Sequence, residues 1–110
     1  MERFVKGDVV VVPFPFSDLT GSKLRPALVV KQLDGDDVIL CQITASARKD
    51  RYSIPLSNTD FLNGNLPQRS SIRPNRLFTA ESKIIIRRAG KISQEKIDIV
   101  IEKIIDIVQK

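Results

Sequence analysis

The sequence predicts a mainly β (β-rich α+β) fold: a small, strongly bent, barrel-like sheet with one helix packed at its side. Three observations carry this. Short runs of β-branched residues recur along most of the chain, separated by clusters of Gly, Pro, Asn and Asp. A helical spacing of apolar residues occurs once, at the C-terminal end. The chain has 110 residues and is 42% hydrophobic, enough for a single domain over residues 1–110 with one modest core. An open α+β sheet satisfies the same pattern.

The first strand is expected at Val9–Val12. Pro13-Phe14-Pro15-Phe16 should then stop regular pairing, because proline lacks the donor a ladder needs. Residues 17–22 read as a turn-rich loop. A second strand is expected at Ala27–Lys31, a hairpin turn at Asp34-Gly35-Asp36, and a third strand at Val38–Thr44, making a short antiparallel meander. Tyr52–Leu56 reads as a short edge strand and Ser57–Gln68 as a loop. Ser70–Arg73 and Arg76–Thr79 read as two strand pieces broken at Pro74, and Ile84–Ile86 as a last β-like run.

Gly90 should open the way to the helix, with Ser93 as its N-cap and Glu95 in its first turn. Lys96 at the third helical position excludes a strict capping box. Ile97, Val100, Ile101, Ile104, Ile105 and Val108 form the stripe expected to face the core. Ile99 and Ile107 lie off that stripe, either as ordinary exposed residues or as contacts to a second subunit.

Composition narrows the chemistry. The formal net charge is +5, which suits a polyanionic partner such as nucleic acid or an acidic protein segment. A lysine-rich soluble surface gives the same balance. Absence of histidine from the sequence excludes His-based zinc sites and Ser-His-Asp triads. The scattered carboxylates predict no metal site and no cofactor. Cys41 is the one cysteine; it excludes an intrachain disulfide and reads as a small core residue. A reducing, cytoplasmic setting fits, and no segment is apolar enough over sufficient length to span a membrane.

Arg25 stands at the root of the second strand, with Pro26 fixing the adjacent backbone. Arginine holds phosphate through parallel donors and stays charged at any working pH; a surface ion pair is the plainer role. Thr44 ends the third strand, where its hydroxyl can donate to a phosphate oxygen or simply favour the strand. Lys23, Arg48, Lys49 and Arg51 supply cations near these two residues, and Phe14 and Phe16 supply aromatic faces. Aromatic groups beside basic loops suit single-stranded RNA, whose bases stack while cations hold phosphates. Core phenylalanines and solvated cations are the alternative.

Taken in order, several segments resemble the MazF/PemK family of toxins from type II toxin–antitoxin systems. They are Lys6-Gly7-Asp8-Val9-Val10, Pro15-Phe16-Ser17-Asp18-Leu19-Thr20-Gly21-Ser22, Arg25-Pro26-Ala27-Leu28-Val29-Val30 and Gln42-Ile43-Thr44-Ala45. Looser matches follow at Ser71-Ile72-Arg73-Pro74-Asn75, Leu77-Phe78-Thr79 and Gly90-Lys91-Ile92-Ser93. The resemblance implies an SH3-like barrel with a C-terminal helix, acting as a homodimer and bound by a cognate acidic antitoxin. It implies a metal-independent endoribonuclease (an mRNA interferase) that cleaves single-stranded RNA by attack of the ribose 2′-OH, leaving a cyclic phosphate and a 5′-OH. The family's catalytic arginine falls on Arg25, its catalytic threonine or serine on Thr44, and an accessory arginine on Arg73.

Two departures stand out. Ser22-Lys23-Leu24 replaces a longer, glutamate-bearing loop, and Asn75 stands near a position where some members carry aspartate. Asn75 cannot act as a base, which leaves Asp18 and Glu81 as the carboxylates to consider. A same-fold toxin that binds DNA gyrase and an RNA-binding barrel without turnover are the rival readings.

Overall fold

The computed structural model describes residues 3–15, 22–45 and 50–110. Among these residues seven strands form one sheet: β1 (Asp8–Pro15), β2 (Ser22–Gln32), β3 (Asp37–Thr44), β4 (Ile54–Leu56), β5 (Phe61–Gly64), β6 (Ser70–Glu81) and β7 (Arg87–Ile92). Their spatial order is β4-β6-β3-β2-β1-β7-β5, with every pairing antiparallel. The sheet curls into a half-barrel, and α1 (Gln94–Gln109) follows it. The expected β-rich barrel with a C-terminal helix is borne out.

Alternation along the strands divides the interior between the two faces of this sheet. One face carries Val9, Leu28, Val30, Cys41, Ile43, Ile72 and Ile92, joined by Ile97 and Val100 of α1. The other carries Val10, Val12, Ala27, Val29, Val38 and Leu40 with Phe4, and Phe14 and Phe78 pack against it. Those two rings meet edge to face at 5.1 Å between centroids.

Proline does not end β1 where the sequence suggests. Pro13 and Pro15 stay in register with Leu24 and Ser22. Pairing of β1 with β7 covers only Asp8–Val11, so among the described residues both prolines fall on a stretch whose other side is an edge, where a missing donor costs little. The break at Pro74 is instead a register shift within the single strand β6. Cys41 faces Leu77 while Gln42 faces Arg73, so Pro74-Asn75-Arg76 bulges out of the ladder.

Two further expectations are corrected. Part of the supposed loop after Ser57 is a short 3-10 turn, Asn58–Asp60, followed by β5, whose Gly64 packs directly on Gly90 of β7. Ile84–Ile86 is not a strand. Ser82–Ile84 forms a 3-10 turn that delivers Ile84 and Ile85 to the second core, and β7 begins only at Arg87.

Ser93 caps α1 as expected, its Oγ accepting the Lys96 N–H at 3.2 Å. The inward stripe of α1 is shorter than its sequence spacing. Ile97 and Val100 are buried and Ile101 and Ile104 pack beside them, but Ile105 and Val108 are exposed, because the helix runs past the edge of the core.

The Lys6-Gly7-Asp8 segment is structural. Asp8 is buried, and its carboxylate accepts the Val5 N–H at 2.9 Å and pairs with Arg88 at 3.2 Å and Lys91 at 3.7 Å. Gly7 donates to the Val29 carbonyl and accepts from the Ile92 N–H. The motif thereby locks the N-terminal turn to β2 and β7.

Candidate active site

Register assembles the candidate residues on one face of the sheet. Val12 lies opposite Arg25, and Ala27 lies opposite Gln42. By alternation, Arg25 shares the face of Ala27 on β2 and Thr44 that of Gln42 on β3. Thr44 is in turn opposite Ser71, and Gln42 opposite Arg73. Opposed residues of antiparallel strands share a face, so Arg25, Gln42, Thr44, Ser71 and Arg73 all continue the face that carries Val12, Ala27 and Leu40. The apolar surface of the second core therefore ends in a polar, cationic cluster spread over β2, β3 and β6.

Burial sharpens its character. Arg25 is half-buried. Arg73 is only 5% exposed, an unusual degree for an arginine. Its Nη2 pairs with Asp50 at 3.2 Å. Among the described residues, the Arg73 Nε and the Thr44 Oγ1 are buried and have no hydrogen-bond partner. Unsatisfied buried donors are costly and concentrate where a ligand completes the bonding.

Asp50 is held as firmly as its partner. One carboxylate oxygen accepts the Tyr52 and Ser53 backbone N–H groups at 2.9 and 2.8 Å. Those bonds, Ser53 first, together with the Arg73 charge, keep its carboxyl below the ordinary aspartate value. Behind the site, the Cys41 thiol donates to the Arg73 carbonyl at 2.9 Å, steadying β6 beside its bulge. Burial pushes that thiol up to about 12, so Cys41 is a core residue and not a nucleophile.

The remaining sequence candidates divide. Lys23 is exposed opposite Phe14, one pair beyond Arg25 on the same face. Phe14 is half-buried against Phe78 and belongs to the rim of the core. Arg51 turns toward the helix side: its guanidinium lies 5.3 Å from the Tyr52 ring, and its carbonyl accepts from Lys103 of α1. Phe16, Asp18, Arg48 and Lys49 lie outside the described residues. Glu81 ends β6 beside Asp37, at the far end of β3 from Thr44.

Sequence reading missed Asp50, Gln42 and Ser71. Asp50 had one local signal, an aspartate two and three residues before the N–H groups it binds. Its arginine partner is distant in the chain. Among the described residues, no group of three or more His, Cys, Asp and Glu side chains is placed to hold a metal, and no helix is long and apolar enough to cross a membrane.

Known proteins share the fold. No curated protein matches the chain in sequence. The fold is shared with an endoribonuclease from a mycobacterial species, solved in complex with its cognate antitoxin (TM-score 0.77, 12% identity, 97% of this chain and 96% of that one). It is shared with the Mycobacterium tuberculosis toxin MazF-mt6 (TM-score 0.71, 18% identity, covering 93% and 96%). The MazE–MazF complex of Deinococcus radiodurans is similar too (TM-score 0.79, 14% identity, covering 99% and 98%). The family model described as PemK-like, MazF-like toxin of type II toxin–antitoxin systems matches residues 5–108, nearly the whole chain, and the protein belongs to that family.

Proposed function

We propose that this toxin is a metal-independent endoribonuclease that cleaves single-stranded RNA. The observation that carries the proposal is the shared face of Arg25, Thr44 and Arg73, with a buried guanidinium nitrogen and a buried hydroxyl both unpartnered among the described residues. Two arginines and a hydroxyl supply what a phosphodiester needs when it gains charge and a fifth ligand. The ribose 2′-oxygen attacks the adjacent phosphorus as its proton leaves. The P–O5′ bond then breaks, giving a 2′,3′-cyclic phosphate and a protonated 5′-oxygen. Arg25 stabilises the extra charge on the equatorial oxygens and assists the leaving oxygen. Thr44 donates to a nonbridging oxygen, and Arg73 holds the phosphate from β6. The 2′ proton passes to solvent water.

The proposal extends to partners. An acidic cognate antitoxin suits the surplus positive charge, and a homodimer suits the apolar surface of α1. Ile99, Ile105 and Val108, exposed on α1, are apolar surface that association of chains would cover.

The test is cleavage of a long single-stranded RNA by the purified protein in EDTA, beside Arg25→Ala and Thr44→Val. Wild-type cleavage that falls by about 10²–10³ when Arg25 is removed supports the reading. Binding without turnover would favour a plain RNA-binding barrel. Cellular toxicity retained by Arg25→Ala would favour a gyrase-directed toxin.

A further inference from the structure

The Arg73 guanidinium is buried in a sheet interior, yet one strong contact fixes it and one donor is left over. Its Nη2 meets Asp50 at 3.2 Å, while its Nε is buried without a partner among the described residues. A guanidinium has five donors in a rigid plane. Fixing one of them therefore limits how the others can turn.

Asp50 is well suited to be the fixing group. Its other oxygen is occupied by the Tyr52 and Ser53 N–H groups, so the carboxylate is a stiff anchor rather than a swinging counter-ion. The segment that follows it is tied to the helix, since Lys103 donates to the Arg51 carbonyl and Lys96 to the Pro55 carbonyl. Arg73 itself is held from below by the Cys41 bond to its carbonyl. Ser71, two residues before Arg73, is the direct neighbour of Thr44, which makes Thr44 and Arg73 diagonal neighbours across β3 and β6. Such pairs lie within reach of a shared ligand of phosphate size.

We infer that Asp50 is a positioning residue: by holding the Nη2 of Arg73, it keeps the Nε free and aligned to bind a phosphate oxygen together with Thr44. The inference rests on the ribonuclease reading, which it deepens. Asp50 touches no substrate and acts through Arg73. Without it the guanidinium loses its anchor, and the entropy of reordering it must be met when phosphate binds.

The experiment follows the Arg73 Nε–H resonance in ¹⁵N-labelled protein while inorganic phosphate is added. The wild type is compared with Asp50→Asn and Asp50→Ser, which keep an acceptor for the turn N–H groups. A resonance that shifts with phosphate in the wild type, and needs about tenfold more phosphate in both variants, is the expected result. RNA cleavage should drop by a similar factor in either variant, and by nothing further when Arg73→Ala is already present.

Variants that bind phosphate as well as or better than the wild type would overturn the inference, as would an additive loss in the Arg73→Ala background. An Arg73 resonance indifferent to phosphate in a wild type that cleaves RNA would also overturn it, leaving the ribonuclease reading intact. Phosphate-responsive Arg73 in a wild type that does not cleave would overturn the ribonuclease reading and keep the alignment of Arg73.

Discussion

Asp8 shows how one residue can look functional and prove structural. A carboxylate in a short Gly-Asp motif invites a catalytic reading, but this one is 3% exposed and enclosed by Arg88, Lys91 and the Val5 N–H. Its charge is compensated on every side. Arg88 reaches back over the Phe4 ring at 5.0 Å and donates to the Arg3 carbonyl, so the same cluster fastens the N-terminal segment. Removing one partner of a buried ion pair leaves the others uncompensated, so Asp8→Ala should lower unfolding free energy by about 3 kcal/mol. Urea denaturation measures it. A loss below about 1 kcal/mol would mean that Arg88 and Lys91 find water as readily as they found Asp8.

Residues of the candidate site were legible in unequal measure. Arg25 and Thr44 were found because each stands at a strand end, next to a visible change in composition. Arg73 came only through the resemblance, since nothing local shows that a guanidinium will be buried. Asp50 was missed because its meaning depends on a partner brought to it by sheet register, which no local pattern encodes.

At the scale of the element, the sequence was most readable where alternation and turn chemistry agreed. The β1–β2–β3 meander follows from valine-rich runs and from Asp34-Gly35-Asp36, where Gly35 takes a φ of +74°. Reading failed at β5, because Phe61-Leu62-Asn63-Gly64 has the chemistry of a turn and becomes a strand only through pairing with β7. It failed again at Ile84–Ile86, where strong β propensity was overridden by the demand for two isoleucines in the second core.

Gly64 makes the tertiary origin of β5 testable. It has a φ of +72°, and a side chain there would collide with the Ala89 carbonyl oxygen and the Gly90 backbone. Gly35 has nearly the same backbone conformation, with nothing within 4 Å of an added Cβ. Gly35→Ala should therefore cost only the conformational penalty, about 1 kcal/mol. Gly64→Ala adds overpacking against backbone and should cost about 3 kcal/mol or more. Thermal melts of the two variants decide it: equal shifts would mean that β5 moves off β7 without loss.

Over the whole molecule, the sheet packs a core on each face, and only one of the two faces runs on into the cationic cluster. The face toward α1 is closed by Ile97 and Val100. The opposite face packs Val10, Val12, Val29, Val38 and Leu40 and, beyond them, carries Arg25, Thr44 and Arg73, the residues proposed to meet phosphate. This division gives the net charge of +5 a direction, because Lys23 and the two arginines on that face are cations a phosphate chain can meet together.

Association with single-stranded RNA should then weaken with salt, through release of counterions from each neutralised phosphate. Three cations predict a slope of log K against log salt of about −2, at about −0.7 per phosphate. Lys23→Ala should make the slope shallower by about 0.7 while leaving cleavage chemistry in place, since Lys23 is exposed and lies one strand pair away from Arg25. Arg87→Ala, exposed on β7 on the far side of β1, should leave the slope unchanged. Binding isotherms of an uncleavable 2′-deoxy oligonucleotide across a salt series measure both. Equal flattening by the two variants would place the RNA over the general basic surface and not on the face that joins Arg25, Thr44 and Arg73.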